Sequence, residues 1–176
     1  MTYEDRKTLI FLYPSLITER VAKSKFYWKH SLWSDYDTVY LRSPLPKSDR
    51  MAEKYLEELT KLISVFRKPI MIGGYIGAWW IANLANRNNN LKAGVLVEPI
   101  ADDYYDPLMN TTYKYSFLLH KPVLMGPTKI LVCSTDRHSR VSNHYNGIPY
   151  LLEFGIFRHK NYDPCLSFIK DWIEIV

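Results

Sequence analysis

A chain of 176 residues with 47% hydrophobic and 23% charged side chains can enclose one sizeable core, so a single domain over residues 1–176 is expected and a disordered chain is excluded. No apolar run reaches the roughly 20 residues of a membrane span, the segment Met1–Lys7 lacks the apolar middle of a secretory signal, and Cys133 and Cys165 lack metal-like spacing, which together point to buried reduced thiols and the cytoplasm. The net charge of +5 permits a polyanionic partner, but no zinc-finger spacing, RNP-type aromatic pattern or long Lys/Arg run accompanies it, so nucleic acid is not the expected partner.

Apolar runs alternate with helical patterns along the chain. Thr8–Tyr13 reads as a first strand ended by Pro14. Ser15–Trp33 mixes lysines, aromatics and β-branched residues and predicts a helix with irregular ends. Thr38–Leu41 is a second strand, ended near Pro44. Ser48 is a predicted N-cap, after which Met51, Tyr55, Leu59, Leu62, Ile63 and Phe66 share one helical face. Ile70–Ile72 is a third strand. The stretch after Gly77 is apolar on nearly every side and predicts a deeply buried helix. Asn88–Asn90 is a loop tip. Ala93–Val97 is a fourth strand closed by Pro99, Lys129–Cys133 a fifth, and Tyr150–Phe154 a sixth. Asp163 and Pro164 read as cap and first turn of a last helix, with Phe168, Ile169, Trp172 and Ile173 turned inward.

Continuously apolar strands are those covered on both faces. Their alternation with helices implies an α/β fold, a three-layer α/β/α sandwich around a mainly parallel sheet of about six strands. Ligands in such sheets bind beyond the carboxyl ends of the strands. That rule directs attention to the residues that follow each strand.

The segment after the third strand is the most informative. Gly73-Gly74-Tyr75-Ile76-Gly77-Ala78 joins a predicted strand to a predicted helix through small residues. A sharp strand-to-helix bend needs a small residue two places either side of its tip, because a side chain there would strike neighbouring backbone. Gly73 and Gly77 meet that need, and Tyr75 is the tip. Further along, Asp136 in Cys133-Ser134-Thr135-Asp136 follows the fifth strand. His159 in Phe157-Arg158-His159-Lys160 follows the sixth and precedes the last helix.

In these segments the chain resembles the small single-domain serine hydrolases of the α/β-hydrolase superfamily, whose triad runs in the chain order nucleophile, acid, histidine. The resemblance spans nearly the whole chain and implies the minimal fold without a lid domain. It places Tyr75 at the nucleophile position of the elbow, Asp136 as the acid and His159 as the base. It makes the amides of Ile76 and of Ser15 or Leu16 the oxyanion donors. The chain departs from the pattern at three places. Tyr13-Pro14-Ser15-Leu16 lacks the usual His-Gly or Gly-Asn-Gly element, Asp136-Arg137-His138-Ser139-Arg140-Val141 alters the acid turn, and the elbow tip is a phenol. A phenol with an ordinary pKa near ~10 is a poor nucleophile at neutral pH, and its rigid ring would fill the acyl site. The resemblance therefore implies a catalytically degenerate hydrolase, a pseudoenzyme serving as a binding or interaction module.

The loops after the fifth and sixth strands carry Arg137, His138, Arg140, Arg158 and Lys160. As a basic rim beside Tyr75, Arg137, Arg140 and Arg158 would suit an anionic small molecule or protein partner. A second reading is an active esterase- or thioesterase-type hydrolase with a displaced nucleophile, Ser15, Ser43 or Ser134, and His159 as base. A third is a polyanion or nucleic-acid binder. Gly73-Gly74-x-x-Gly77 as a dinucleotide loop would need glycine at Ile72. No residue pattern requires a cofactor or metal, and oligomeric state is open.

Overall fold

In a computed structural model of the protein the described residues are 6–15, 17–24, 28–87, 90–97, 104–106, 111–113, 128–134, 148–151 and 163–176. The strands are β1 (Thr8–Pro14), β2 (Asp37–Ser43), β3 (Ile70–Gly74), β4 (Ala93–Val97), β5 (Tyr104–Asp106), β6 (Thr111–Tyr113), β7 (Lys129–Ser134) and β8 (Ile148–Leu151). The helices are α1 (Glu19–Ser24), α2 (Asp49–Ile63), α3 (Ile76–Ala85) and α4 (Asp163–Ile175), with a 3-10 turn at His30–Trp33 before β2.

Six strands form one sheet in the order β2-β1-β3-β4-β7-β8, and every neighbouring pair is parallel. Parallel strands need crossovers, and α1, α2 and α3 lie in those from β1 to β2, β2 to β3 and β3 to β4. Side chains alternate across each strand, so one strand feeds two cores. Ile10, Leu12, Met71, Leu96, Ile130 and Val132 face α2 and α3. Leu9, Phe11, Ile70, Ile72, Val95 and Leu131 face Ile169, Trp172 and Ile173 of α4, together with Trp28 and Trp33. The result is the three-layer sandwich that the alternating pattern predicts.

Helix α2 begins where Ser48 caps it, its hydroxyl accepting the Met51 amide at 3.2 Å. Its buried stripe is Ala52, Leu56, Leu59 and Ile63. Of the predicted face, Leu59 and Ile63 are buried and Tyr55 and Phe66 pack partly buried against the same core, whereas Met51 and Leu62 are only partly buried and Ala52 and Leu56 complete the contact. Helix α3 is buried at nine of its ten positions, Asn83 being the exception. Burial of each large apolar side chain contributes about 1.5–3 kcal/mol, and Trp79 and Trp80 meet edge to face with centroids 4.7 Å apart.

Three further expectations need correction. Ser15–Trp33 is no single helix, since a two-turn helix and a separate 3-10 turn share it. The sixth strand begins two residues earlier than expected, at Ile148, and runs through Tyr150 and Leu151, while 152–154 of the expected Tyr150–Phe154 lie outside the described residues. Asp163 is the first helical residue of α4 instead of its cap. The antiparallel pair β5 and β6 is an addition with no sequence forecast. Among the described residues no helix is long and apolar enough to cross a membrane.

Candidate functional site

Because the six strands are parallel, their carboxyl ends share one edge. Pro14, Ser43, Gly74, Val97, Ser134 and Leu151 mark it. Tyr75 stands at the centre of this edge, between the end of β3 and the first turn of α3.

The backbone at Tyr75 has φ 50° and ψ −113°. This is a conformation that side-chain-bearing residues avoid, at a cost of about 1–3 kcal/mol. Two hydrogen bonds and two close backbone approaches impose it. The Tyr75 amide donates to the Val97 carbonyl at 3.0 Å, which carries the β3–β4 pairing up to the tip. The Tyr75 carbonyl accepts from Trp79 at 3.2 Å and so begins α3 immediately. Between these anchors the chain must reverse, and it does so by pressing backbone on backbone. A Cβ on Gly73 would lie 2.7 Å from the carbonyl carbon of Gly77 and 2.9 Å from its oxygen. A Cβ on Gly77 would lie 2.6 Å from the carbonyl oxygen of Leu12. No side chain fits at either place.

The tyrosine ring is half-buried and packs on the core cluster that contains α2 and α3. The Ile76 amide is one of the first-turn donors that have no acceptor inside their own helix. The Ser15 amide is different. It donates to the Ser43 carbonyl at 3.2 Å, so the expectation that it could hold an oxyanion does not survive, and Leu16 lies outside the described residues. Ser43 is also removed as a displaced nucleophile. Its side chain is fully buried, and its hydroxyl donates to the Tyr13 carbonyl at 2.8 Å.

Neighbouring polar groups at this edge are tied down in similar ways. The Tyr55 hydroxyl donates to the Arg42 carbonyl at 2.5 Å, and Trp80 donates its indole N–H to the Pro44 carbonyl at 2.8 Å. The two rings meet with centroids 4.7 Å apart. Burial, and secondarily the charge of Glu58, pushes the Tyr55 phenol far up from its ordinary value. These contacts tie α2 and α3 to the end of β2, a role the sequence did not signal. Asp136, His159, Arg137, Arg140 and Arg158 lie outside the described residues, as does the side chain of Ser134. Among the described residues no cluster of three or more His, Cys, Asp or Glu side chains could hold a metal.

A parallel six-stranded sheet, helices on both faces and a strained strand-to-helix bend after the strand between β1 and β4 define the α/β-hydrolase fold. The chain has that fold. Solved structures similar to it include a protein from Thermoplasma acidophilum assigned as a CIB-like hydrolase. That structure has a TM-score of 0.65 and 10% identity over 100% of this chain and 90% of that one. A protein from Xanthomonas campestris assigned to the hydrolases of the α/β superfamily matches at TM-score 0.63 and 10% identity, over 97% and 100% of the two chains. The Bacillus cereus carboxylesterase matches at TM-score 0.56 and 13% identity, over 96% and 88%. No family model and no curated protein matches the sequence.

Proposed function

We propose that the protein is a catalytically degenerate α/β-hydrolase-fold protein that acts as a binding or interaction module. One observation carries the reading: the elbow tip is strained as a reactive residue's seat would be, yet it presents a phenol. The ring's half-burial against the core supports a second part of the proposal, that Tyr75 is the aromatic floor of a ligand site. Arg137, Arg140 and Arg158 would form its basic rim, and the favoured ligand is an anionic small molecule or acidic protein segment. In this reading the chain is one domain, Asp136 and His159 hold the acid and base positions, and the Ile76 and Leu16 amides remain as the candidate oxyanion donors.

Catalysis by the ordinary triad would need a small hydroxyl or thiol at position 75. The similar solved structures include a carboxylesterase, so ester hydrolysis is the activity to assay. Purified protein is incubated with p-nitrophenyl acetate and with a fluorophosphonate probe. The expected result is no turnover or labelling beyond that of Tyr75→Phe and His159→Ala variants. Turnover that either variant abolishes would overturn the pseudoenzyme reading and favour an active hydrolase with His159 as base.

A further inference from the structure

The opposite edge of the sheet has a chemistry of its own. Strand register places four lysines there on consecutive strands. Lys7 immediately precedes β1 and Lys68 lies two residues before β3, whose first residue Ile70 pairs with Leu9. The Lys92 amide donates to the Pro69 carbonyl at 2.9 Å, which fixes Lys92 beside the start of β3. Ala93 pairs with Lys129, the first residue of β7. Four cations thus follow one another across β1, β3, β4 and β7, a span of about 15 Å at inter-strand spacings of ~4.8 Å.

Helix carboxyl termini also end at this edge, and lysines often serve them. Lys7 does so: its ammonium donates to the carbonyls of Ile173 and Glu174 at 2.7 and 3.1 Å and lies 3.6 Å from the Glu174 carboxylate. Glu174 also accepts the Tyr36 hydroxyl. Asp35 and Asp37 lie by the outer strand β2, beyond β1. No ion pair among the described residues joins Lys68, Lys92 or Lys129 to a carboxylate. Lys68 and Lys129 are exposed and Lys92 is half-buried. Burial and then the charges of Lys7, Lys129 and Lys68 make Lys92 easier to deprotonate than an ordinary lysine, against a smaller opposing pull from Glu174. The two exposed large hydrophobics of the described residues, Val65 and Ile175, follow α2 and end α4, and so lie toward this same edge.

We infer that the amino-terminal edge of the sheet is a binding site for a phosphate-bearing anion, seated on Lys68, Lys92 and Lys129 with Lys7 alongside. An anion there would relieve the mutual repulsion of the lysines and supply the counter-charge that no ion pair among the described residues gives Lys68, Lys92 or Lys129. The site faces away from Tyr75 and does not depend on the function proposed for that residue. The phosphate can come from a soluble polyphosphate or from an anionic lipid headgroup. In the second case Val65 and Ile175 would enter the interfacial layer beside it.

Two arms test this with the full chain. Pyrophosphate is titrated calorimetrically at low and at raised ionic strength. Separately, the protein is sedimented with phosphatidylcholine vesicles with and without phosphatidic acid. Binding in either arm, weakened about tenfold by Lys92→Gln or Lys129→Gln and unchanged by Lys54→Gln on the outer face of α2, is the expected result. Vesicle binding that Val65→Ser and Ile175→Ser also weaken, with no heat from pyrophosphate, assigns the headgroup. Pyrophosphate binding alone assigns the soluble ligand. If Lys92→Gln fails to fold, the exposed pair Lys68→Gln and Lys129→Gln carries the test. No binding in either arm at low salt, or an equal loss with Lys54→Gln, would overturn the inference.

Discussion

Gly77 rests directly on Leu12: a Cβ at residue 77 would sit 2.6 Å from the Leu12 carbonyl oxygen and 3.1 Å from the Leu12 Cβ. Both of the nearest obstacles belong to β1, in the middle of the sheet, and neither can swing aside. The start of α3 is therefore locked to the first strand as well as to the third, and the bend at Tyr75 is the path the chain takes between those two locks.

The first prediction is a ranking of glycine substitutions. Gly77→Ala and Gly73→Ala each force backbone apart and should destabilise by about 3 kcal/mol or more. Gly94→Ala meets side-chain atoms instead, Ile130 Cδ1 and Ile81 Cγ2, each at 2.8 Å, and should cost about 1–2 kcal/mol. Urea midpoints measured on the three variants check the order. Equal midpoints would mean that the bend is not sterically closed.

The second concerns the strained tip itself. Replacing Tyr75 by alanine or by glycine removes the ring equally, but φ 50° suits glycine and not alanine. Tyr75→Gly should be more stable than Tyr75→Ala by about 1 kcal/mol, the reverse of the order at an ordinary position. Thermal melts of the two variants decide it.

A third asks whether the frame can be reactivated. Tyr75→Ser places a small hydroxyl at the tip with the backbone already in the required bend. If Asp136 and His159 take the acid and base positions proposed for them, the variant should gain fluorophosphonate labelling that His159→Ala removes. Labelling indifferent to His159 would separate the histidine from the site.

Alkaline pH should unfold the protein cooperatively. Burial raises the Tyr55 phenol, and burial followed by the Glu174 hydrogen bond raises that of Tyr36. Burial and the charge of Glu19 push Tyr40 up to about 12. A phenol that resists ionisation in the folded state contributes stability fully below its unfolded value of ~10 and loses it as pH rises from there through the raised value. Lys92, whose charge the fold disfavours, has the opposite sign, gaining as pH nears the ordinary lysine value. It is one half-exposed group against three phenols. Phenolate absorbance and circular dichroism followed together should show part of the tyrosine titration coinciding with loss of structure. Complete titration with the fold intact would contradict the burial argument.

Ser48→Ala removes the acceptor of the Met51 amide and should cost about 1 kcal/mol. Denaturant unfolding reads it directly, and Ser48→Asp should recover most of the loss.

Legibility in the sequence followed the strength of local constraint. Ala93–Val97 was legible at both ends because a continuously apolar run bounded by Lys92 and Pro99 has one reading. The bend was legible because two glycines at fixed spacing answer a steric demand. Helix α2 starts after Ser48 as its capping chemistry predicts, and Leu59 and Ile63 are buried as its period predicts, but Tyr55 is only partly buried because its hydroxyl reaches the Arg42 carbonyl at the rim, and Ala52 and Leu56 complete the contact. Strands β5 and β6, three residues each, are too short to show a period. The lock on Ser43 depends on a carbonyl thirty positions away in sequence, brought near by strand register, and no local pattern encodes it. The same holds for the lysine row, which exists because four strands start level.

The closure between Leu12 and Gly77 has an implication for how such a scaffold changes over time. The geometry at position 75 is maintained by main-chain hydrogen bonds and by the close approaches of Gly73 and Gly77, not by the tyrosine side chain, so that side chain can change without dismantling its mount. A chain of this kind can exchange one chemistry for another, or for none, and still hold the new group at the same point above the sheet.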